Sequence, residues 1–399
     1  MRYRLARLKC ETDAALRQRS SIKWSRTELG ELPADIAELD FAAAAPIRRA
    51  LRRSAKYSDF GYPDFERGTP LALKRAFAER MQLQHNWSPA PELMELSAQV
   101  SQALCAVILT LTRPGDVVLT HAPTYTPIAA SVRGLDRQLA TIPTTKGLSS
   151  TELRALLGPL EAHIGLIVLC HPHNPTGKVL DDATLSALSE LAEVHDVPVF
   201  SDEIYQDLVH APHQHQPVAV TPGLSSRTIT FTSAAKSHGI PGLRCAVGHF
   251  GSARLHAAYK RLPWHLRDGA SLIGITATLA AWQYGDSWLQ SLRSTLRRNR
   301  EVVVDEVSKW PGVKLVPPEA GYLAWLDFTC STVADNPFAL IHRHAGVRLL
   351  AGDRFGQDFG KYARLNFGTS MERLRRILNR ISKVLDSNAE LGSSEPLLD

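Results

Sequence analysis

The sequence predicts an α/β protein built on a mainly parallel sheet, and three observations carry that reading. Ile164 to Leu169 is an unbroken apolar run, as expected of a strand covered on both faces. Val117 to Thr120 and Val197 to Tyr205 are similar short runs, separated by helical stretches such as amphipathic Ala183 to His195. Thr230-Phe231-Thr232 is a β-branched strand that stops abruptly at Ser233-Ala234-Ala235, and Lys236 follows. A buried ammonium is costly. Lys236 makes sense where its amine is consumed, as in a Schiff base. Beyond the next glycines, Arg244 can hold a phosphate by a two-pronged contact.

The 399 residues suit two domains better than one small core. The net charge of +6 is spread along the chain. Arg52-Arg53 and Arg297-Arg298 fall on amphipathic helical stretches and read as solvated faces. With no DNA-binding module, no nucleic-acid partner is expected. No apolar run approaches a membrane span. The basic start, Met1 to Arg7, lacks a signal-peptide apolar core, so a cytoplasmic protein is expected. Five scattered cysteines without a CxxC pair indicate neither a disulfide framework nor a metal site.

In chain order, residues 1–30 read as a polar arm or short helix. Pro46 to Ala55, with its early proline, and Leu71 to Gln84 read as helices. Glu95 to Ser97 is a short strand and Ser101 to Thr112 a helix of small and apolar residues. The strand from Val117 ends at His121-Ala122-Pro123-Thr124-Tyr125, and the run from Ile164 ends at Cys170-His171-Pro172-His173-Asn174-Pro175-Thr176-Gly177-Lys178. His171 and His173 read as loop histidines. His210, His213 and His215, in a Pro-containing loop, are expected to be exposed. Arg244 to Phe250 reads as a strand, Leu272 to Trp282 as a helix, and Trp288 to Lys309 as the region of a domain boundary. Gly321 to Asp327 is a strand, Phe338 to Ala345 a helix, and Tyr362 to Gly368 a strand. Residues 389–399 read as a disordered tail.

The run Ser-Ala-Ala-Lys, then Gly239-Ile240 and Gly242-Leu243-Arg244, resembles the lysine motif of fold-type I pyridoxal-phosphate (PLP) enzymes, the aminotransferase class I/II superfamily. Lys23-Trp24, Ala37 to Phe41, Tyr322 to Asp327 and Arg364 to Phe367 are similar to motifs of its MalY/PatB branch, the cystathionine β-lyase-like C–S lyases. Glu38 and Leu39 depart from that branch's usual Asp and Met. The resemblance implies a large domain with a seven-stranded mixed, mainly parallel sheet, and a small α+β domain. It divides the chain into an arm and part of the small domain (1–50), the PLP domain (51–290) and the rest of the small domain (291–388). It also implies a homodimer with shared active sites.

By the same resemblance, Lys236 binds PLP and acts as general base, and Asp202 pairs with the pyridine nitrogen. Asn174 and Tyr205 reach O3′, and Tyr125 stacks on the ring. Ser233, Arg244 and the turn at Val100–Ser101 anchor the phosphate, although Gln99 stands where glycine is usual. Tyr62 reaches the phosphate of the neighbouring subunit. Arg364 clamps the substrate carboxylate, with Ala37, Asn174 and Tyr125 also facing the substrate.

The core motifs do not encode the fate of the deprotonated substrate. The branch motifs favour β-elimination from a cysteine S-conjugate, giving thiol, pyruvate and ammonia. Tyr205, where C–S lyases usually carry histidine, and Arg244, which that branch often lacks, pull towards an aminotransferase. A third reading, by similarity to lincosamide-antibiotic tailoring enzymes, is decarboxylation-coupled oxidative deamination of an S-cysteine conjugate. A non-catalytic regulator is the fourth.

Overall fold

Seven strands form the principal sheet: β1 (Met94–Ser97), β2 (Val117–Ala122), β3 (Gln138–Pro143), β4 (Ile164–Cys170), β5 (Val199–Asp202), β6 (Thr228–Thr232) and β7 (Ala246–Phe250). Their order is β1-β7-β6-β5-β4-β2-β3. The strands from β2 to β6 run parallel, and β7 is antiparallel to both β6 and β1. The seven-stranded mixed, mainly parallel sheet implied by the motifs is therefore present. This computed structural model describes residues 8–144 and 147–392.

Both faces of the sheet are covered, which is why its strands show no polar alternation. Val117, Leu119, Ile167 and Leu169 join one apolar cluster with Leu185, Leu188 and Leu191 of the helix Asp182–Val194. Their neighbours Val118, Leu166 and Val168 join another with Leu104 and Val107 of the helix α1 (Val100–Leu111), and with Phe200, Phe231 and Phe250. Each such buried side chain contributes about 1.5–3 kcal/mol. Phe231 stacks on Phe200 with ring centroids 5.7 Å apart and meets Phe250 edge-on at 6.1 Å.

The chain divides into two compact units. The first comprises Ala43–Asn174 and Lys178–Leu289 and holds the principal sheet. The second comprises residues 8–42, Pro175–Gly177 and residues 290–392. The change at Leu289 falls inside the helix Asp286–Val307. In the second unit, β8 (Lys314–Leu315), β9 (Leu323–Asp327), β10 (Leu350–Ala351) and β11 (Tyr362–Asn366) form an antiparallel sheet in the order β10-β11-β9-β8. The strand expected from Arg244 begins at Ala246, because Arg244 has a left-handed backbone (φ 52°) that breaks the extended run. The C-terminal helix Met371–Gly392 includes residues 389–392 of the expected tail; 393–399 lie outside the described residues.

The second unit has a buried ionic centre. Asp40 accepts from the Trp24 indole at 2.8 Å and pairs with the Lys23 ammonium at 3.0 Å and with Arg373 at 3.6 Å. The Arg373 guanidinium lies 5.2 Å from the centroid of the Trp24 ring. The two halves of the amino-terminal motif, Lys23-Trp24 and Asp40-Phe41, are thus bonded to each other.

Gly248 on β7 offers a direct test of packing in the principal sheet. A Cβ there would meet the Phe231 ring at 2.2 Å, whereas one at Gly134 would meet nothing within 4 Å. Gly248→Ala is expected to lower the urea-unfolding free energy by about 1–3 kcal/mol, and Gly134→Ala to leave it unchanged or raise it.

Candidate active site

Four parallel strands deliver the expected residues to one edge of the sheet. β2 ends just before Tyr125, β4 before Asn174, β5 on Asp202 and β6 before Ser233 and Lys236. The register aligns these ends: Cys170 lies opposite Asp202, and Asp202 opposite Phe231. Ligands collect at such carboxyl ends in α/β sheets. The His173 N–H donates to the Lys178 carbonyl at 2.8 Å and closes the turn that presents Asn174. Asn174 and Tyr205 are buried.

Asp202 is buried at 7% exposure, and its carboxylate accepts from the Ile204 N–H at 3.1 Å. Burial pushes it up to about 7, against the Ile204 bond and the charge of Lys236, while neighbouring Glu203 raises it further. Lys236 is half-buried in the short helix Ala234–Ser237. Ser233 caps that helix, accepting from the Ala235 N–H at 3.1 Å, and donates to the Cys245 carbonyl at 2.5 Å. Ser237 bonds Asp207, which forms a buried 2.8 Å ion pair with Arg80, and Arg80 also holds Asp286 at 2.9 Å. The lysine thus sits on a braced turn.

Val100, Ser101, Tyr125 and Asp202 line one small pocket together with Leu104 and Phe200. Val100 and Ser101 open α1, whose N-cap, Gln99, makes no side-chain cap bond. The first N–H groups of a helix have no intrahelical acceptor and favour an anion. The Gln99 side chain instead accepts from the Arg244 guanidinium. Both line an adjoining open pocket with Gln102, Leu243 and Ser271. A residue larger than glycine at position 99 is thereby accommodated: its side chain turns towards Arg244.

Tyr62, Arg364 and Ala37 are not carried by these strand ends. Tyr62 is fully exposed and lines a wide groove of the first unit with Phe60, Phe65 and Trp264. Arg364 and Ala37 belong to the second unit. There Arg364 donates to the Asp35 carbonyl at 2.9 Å, its guanidinium lies 5.3 Å from the Phe355 ring centroid, and Tyr322 donates to the Ala37 carbonyl at 3.0 Å.

Residues 36–381 match the family model described as aminotransferase class I and II. This chain belongs to that family. It is 30% identical to cystathionine beta-lyase of Corynebacterium glutamicum, over 93% of this chain and 98% of that one. It is 31% identical to arginine–pyruvate transaminase AruH of Pseudomonas aeruginosa, over 90% of this chain and 91% of that one. A Corynebacterium diphtheriae chain solved as a candidate PLP-dependent beta-cystathionase superposes with a TM-score of 0.89 at 30% identity, covering 95% of this chain and 99% of its own.

As a member of the aminotransferase class I and II family, the chain is a PLP-dependent enzyme. Its residues fit the cofactor. A cationic partner such as a pyridinium would favour the ionised form of the buried Asp202, and the uncapped start of α1 beside Arg244 suits a phosphate. Tyr125 lines the same pocket as Asp202 and that helix start.

The histidine reading requires correction. His213 is exposed, but His210 and His215 are buried, as are His171 and His173. His215 Nε2 donates to Glu203 at 2.9 Å, and Ser201 and the Val218 N–H also donate to that carboxylate, at 2.9 and 3.0 Å. The His171 ring lies 4.7 Å from that of His215; its Nε2 donates to the Gln216 carbonyl at 3.1 Å and its Nδ1 accepts from the Leu180 N–H at 3.3 Å. Glu203 follows Asp202 directly, so two buried acids sit in succession. That pair was the available signal, because a buried carboxylate demands donors.

Burial drives buried imidazoles down from their ordinary value of 6.5: His171 and His215 to about 3, and His85, His121, His238 and His249 to about 4. Below pH 6.5 the unfolded chain therefore binds more protons, and stability falls with pH. Asp202 works oppositely: held at about 7 when folded and 3.8 when free, its contribution is lost as pH rises across that range. Glu203 is also raised by burial and His173 also lowered, and the lowered imidazoles outnumber the two raised acids. The urea midpoint of the cofactor-free protein is expected to drop between about pH 6.5 and 4.5, and more steeply in Asp202→Asn. A flat midpoint would contradict the burial of these histidines.

Proposed function

We propose that this enzyme is a PLP-dependent C–S β-lyase that cleaves a cysteine S-conjugate to a thiol, pyruvate and ammonia. The observation that carries the reading is Lys236 placed beside the buried Asp202 at adjoining strand ends. The likeness to the Corynebacterium cystathionine beta-lyase supports the lyase branch. PLP, when bound, stabilises the negative charge left at the substrate α-carbon.

The chain's own residues supply the rest. Lys236 holds the cofactor aldehyde through Nζ and, once released, takes the α-proton on that atom. The Asp202 carboxylate keeps a proton at the ring nitrogen. Asn174 and Tyr205 donate to O3′, and Tyr125 covers a ring face. Ser233, Arg244 and the Val100 and Ser101 N–H groups hold the phosphate. Arg364 grips the α-carboxylate, with Ala37, Asn174 and Tyr125 beside the substrate. Loss of the α-proton and departure of the β-thiolate, which leaves as the thiol, complete the elimination; water then hydrolyses the released 2-aminoacrylate to pyruvate and ammonia.

The enzyme is proposed to be a cytoplasmic homodimer in which Tyr62 of one subunit serves its partner's site. Full exposure of Tyr62, beside exposed Phe60 and Trp264, supports this. Among the described residues no helix is long and apolar enough to cross a membrane.

A second reading, amino transfer, is favoured by Tyr205, by Arg244 and by the likeness to arginine–pyruvate transaminase. Incubation of the PLP-loaded protein with an S-alkyl cysteine separates the two. Thiol plus pyruvate without added keto acid is expected; amino transfer only with keto acid would establish the second reading. Borohydride treatment is expected to tag Lys236 by mass spectrometry. Lys236→Ala is expected to lose the tag and at least about 100-fold in turnover. An untagged Lys236 in the wild type would sink both readings.

A further inference from the structure

The segment Asp35–Glu38 is held in an unusual way. Each of its four consecutive carbonyls accepts from a side chain of the second unit. Arg364 donates to Asp35 at 2.9 Å, Asn366 to Ile36 at 2.5 Å, and Tyr322 to Ala37 at 3.0 Å. Asn366 donates to Glu38 as well, at 2.8 Å, and Lys23 reaches the same carbonyl at 3.2 Å. Asp35 is buried and Ile36 to Glu38 half-buried, so their carbonyls have little access to water.

All four donor residues, Lys23, Tyr322, Arg364 and Asn366, are buried. Arg364 and Asn366 stand two apart on β11 and therefore share a face of the sheet. Leu323, which follows Tyr322, pairs with Asn366 across the β9–β11 ladder. Asn366 is further fixed by its own acceptor, Oδ1, which takes the Gly368 N–H at 2.6 Å, while its backbone N–H donates to the Ala34 carbonyl at 2.8 Å. One sheet face thus holds both the segment and the guanidinium of Arg364, whose plane rests against Phe355.

We propose that Tyr322 and Asn366 are positioning residues for the substrate carboxylate. They touch neither cofactor nor substrate. They fix the backbone at Ile36–Glu38, and through Asp35 the fork of Arg364, so that the carboxylate meets a site whose ordering cost is already met. The inference rests on Arg364 as the carboxylate clamp.

Tyr322→Phe removes one hydroxyl and keeps the ring. It is expected to raise KM for an S-alkyl cysteine by about 2–10-fold, the worth of one net hydrogen bond, with kcat nearly unchanged. The dissociation constant of the matching S-alkyl cysteamine, which lacks the carboxylate, is expected to stay the same, as is that of PLP. These are read by absorbance titration of the bound cofactor. Asn366→Ala is expected to lose more of the acid-over-amine preference than Tyr322→Phe. If Tyr322→Phe and Asn366→Ala weaken acid and amine alike, or neither, while Arg364→Ala abolishes the preference, the positioning role is overturned and the clamp stands. If Arg364→Ala keeps the preference, the clamp itself is wrong and the inference falls with it.

Discussion

Burial of one carboxylate is the constraint on which the first unit turns. Asp202 ends a strand whose residues are covered on both faces, where an ion without a partner is expensive. The chain offers it the Ile204 amide and the charge of Lys236, and burial still outweighs them. The protein alone therefore holds an acid whose ionised form is incompletely compensated. A bound group that brought a cation to Asp202 would supply what the fold withholds. Binding and folding become linked there, since whatever binds only the native state stabilises it.

The second unit shows the opposite treatment of a buried acid. Asp40 is surrounded by Lys23, the Trp24 indole and Arg373. Removing one partner from such a buried pair costs about 3–5 kcal/mol. Its charge is balanced within the chain, and its role is to fasten the amino-terminal segment. One acid is held between two cations and an indole; the other sits at a strand end with a backbone amide and the charge of Lys236. Local conflicts of this kind are expected at functional positions.

Much of this arrangement was legible before any coordinates. The apolar runs ending at Tyr125, Asn174, Asp202 and Ser233 give the sheet and its site edge, because two-sided burial leaves a continuous hydrophobic signature. Lys236 stood out because an amine there has little structural use. What was not legible depends on contacts remote in sequence. Histidines in a polar loop read as exposed, yet His215 packs against His171 and bonds Glu203. The contact of Gln99 with Arg244 spans 145 positions, and that of Ala37 with Tyr322 spans 285. Tyr322 and Asn366 lay within motifs read for their likeness alone. Nothing in their local pattern shows that they serve a single backbone segment.

The antiparallel edge of the principal sheet has a consequence for how the enzyme is made. β1 leads straight into the helix start at Val100, yet among the described residues its only partner strand is β7, with Ser97 opposite Ala246. Contacts so distant along the chain close late. A nascent polypeptide on the ribosome must be extruded beyond Phe250 before this end of the cradle has a wall to lean on. This edge of the sheet is therefore completed only once more than half of the polypeptide has been made.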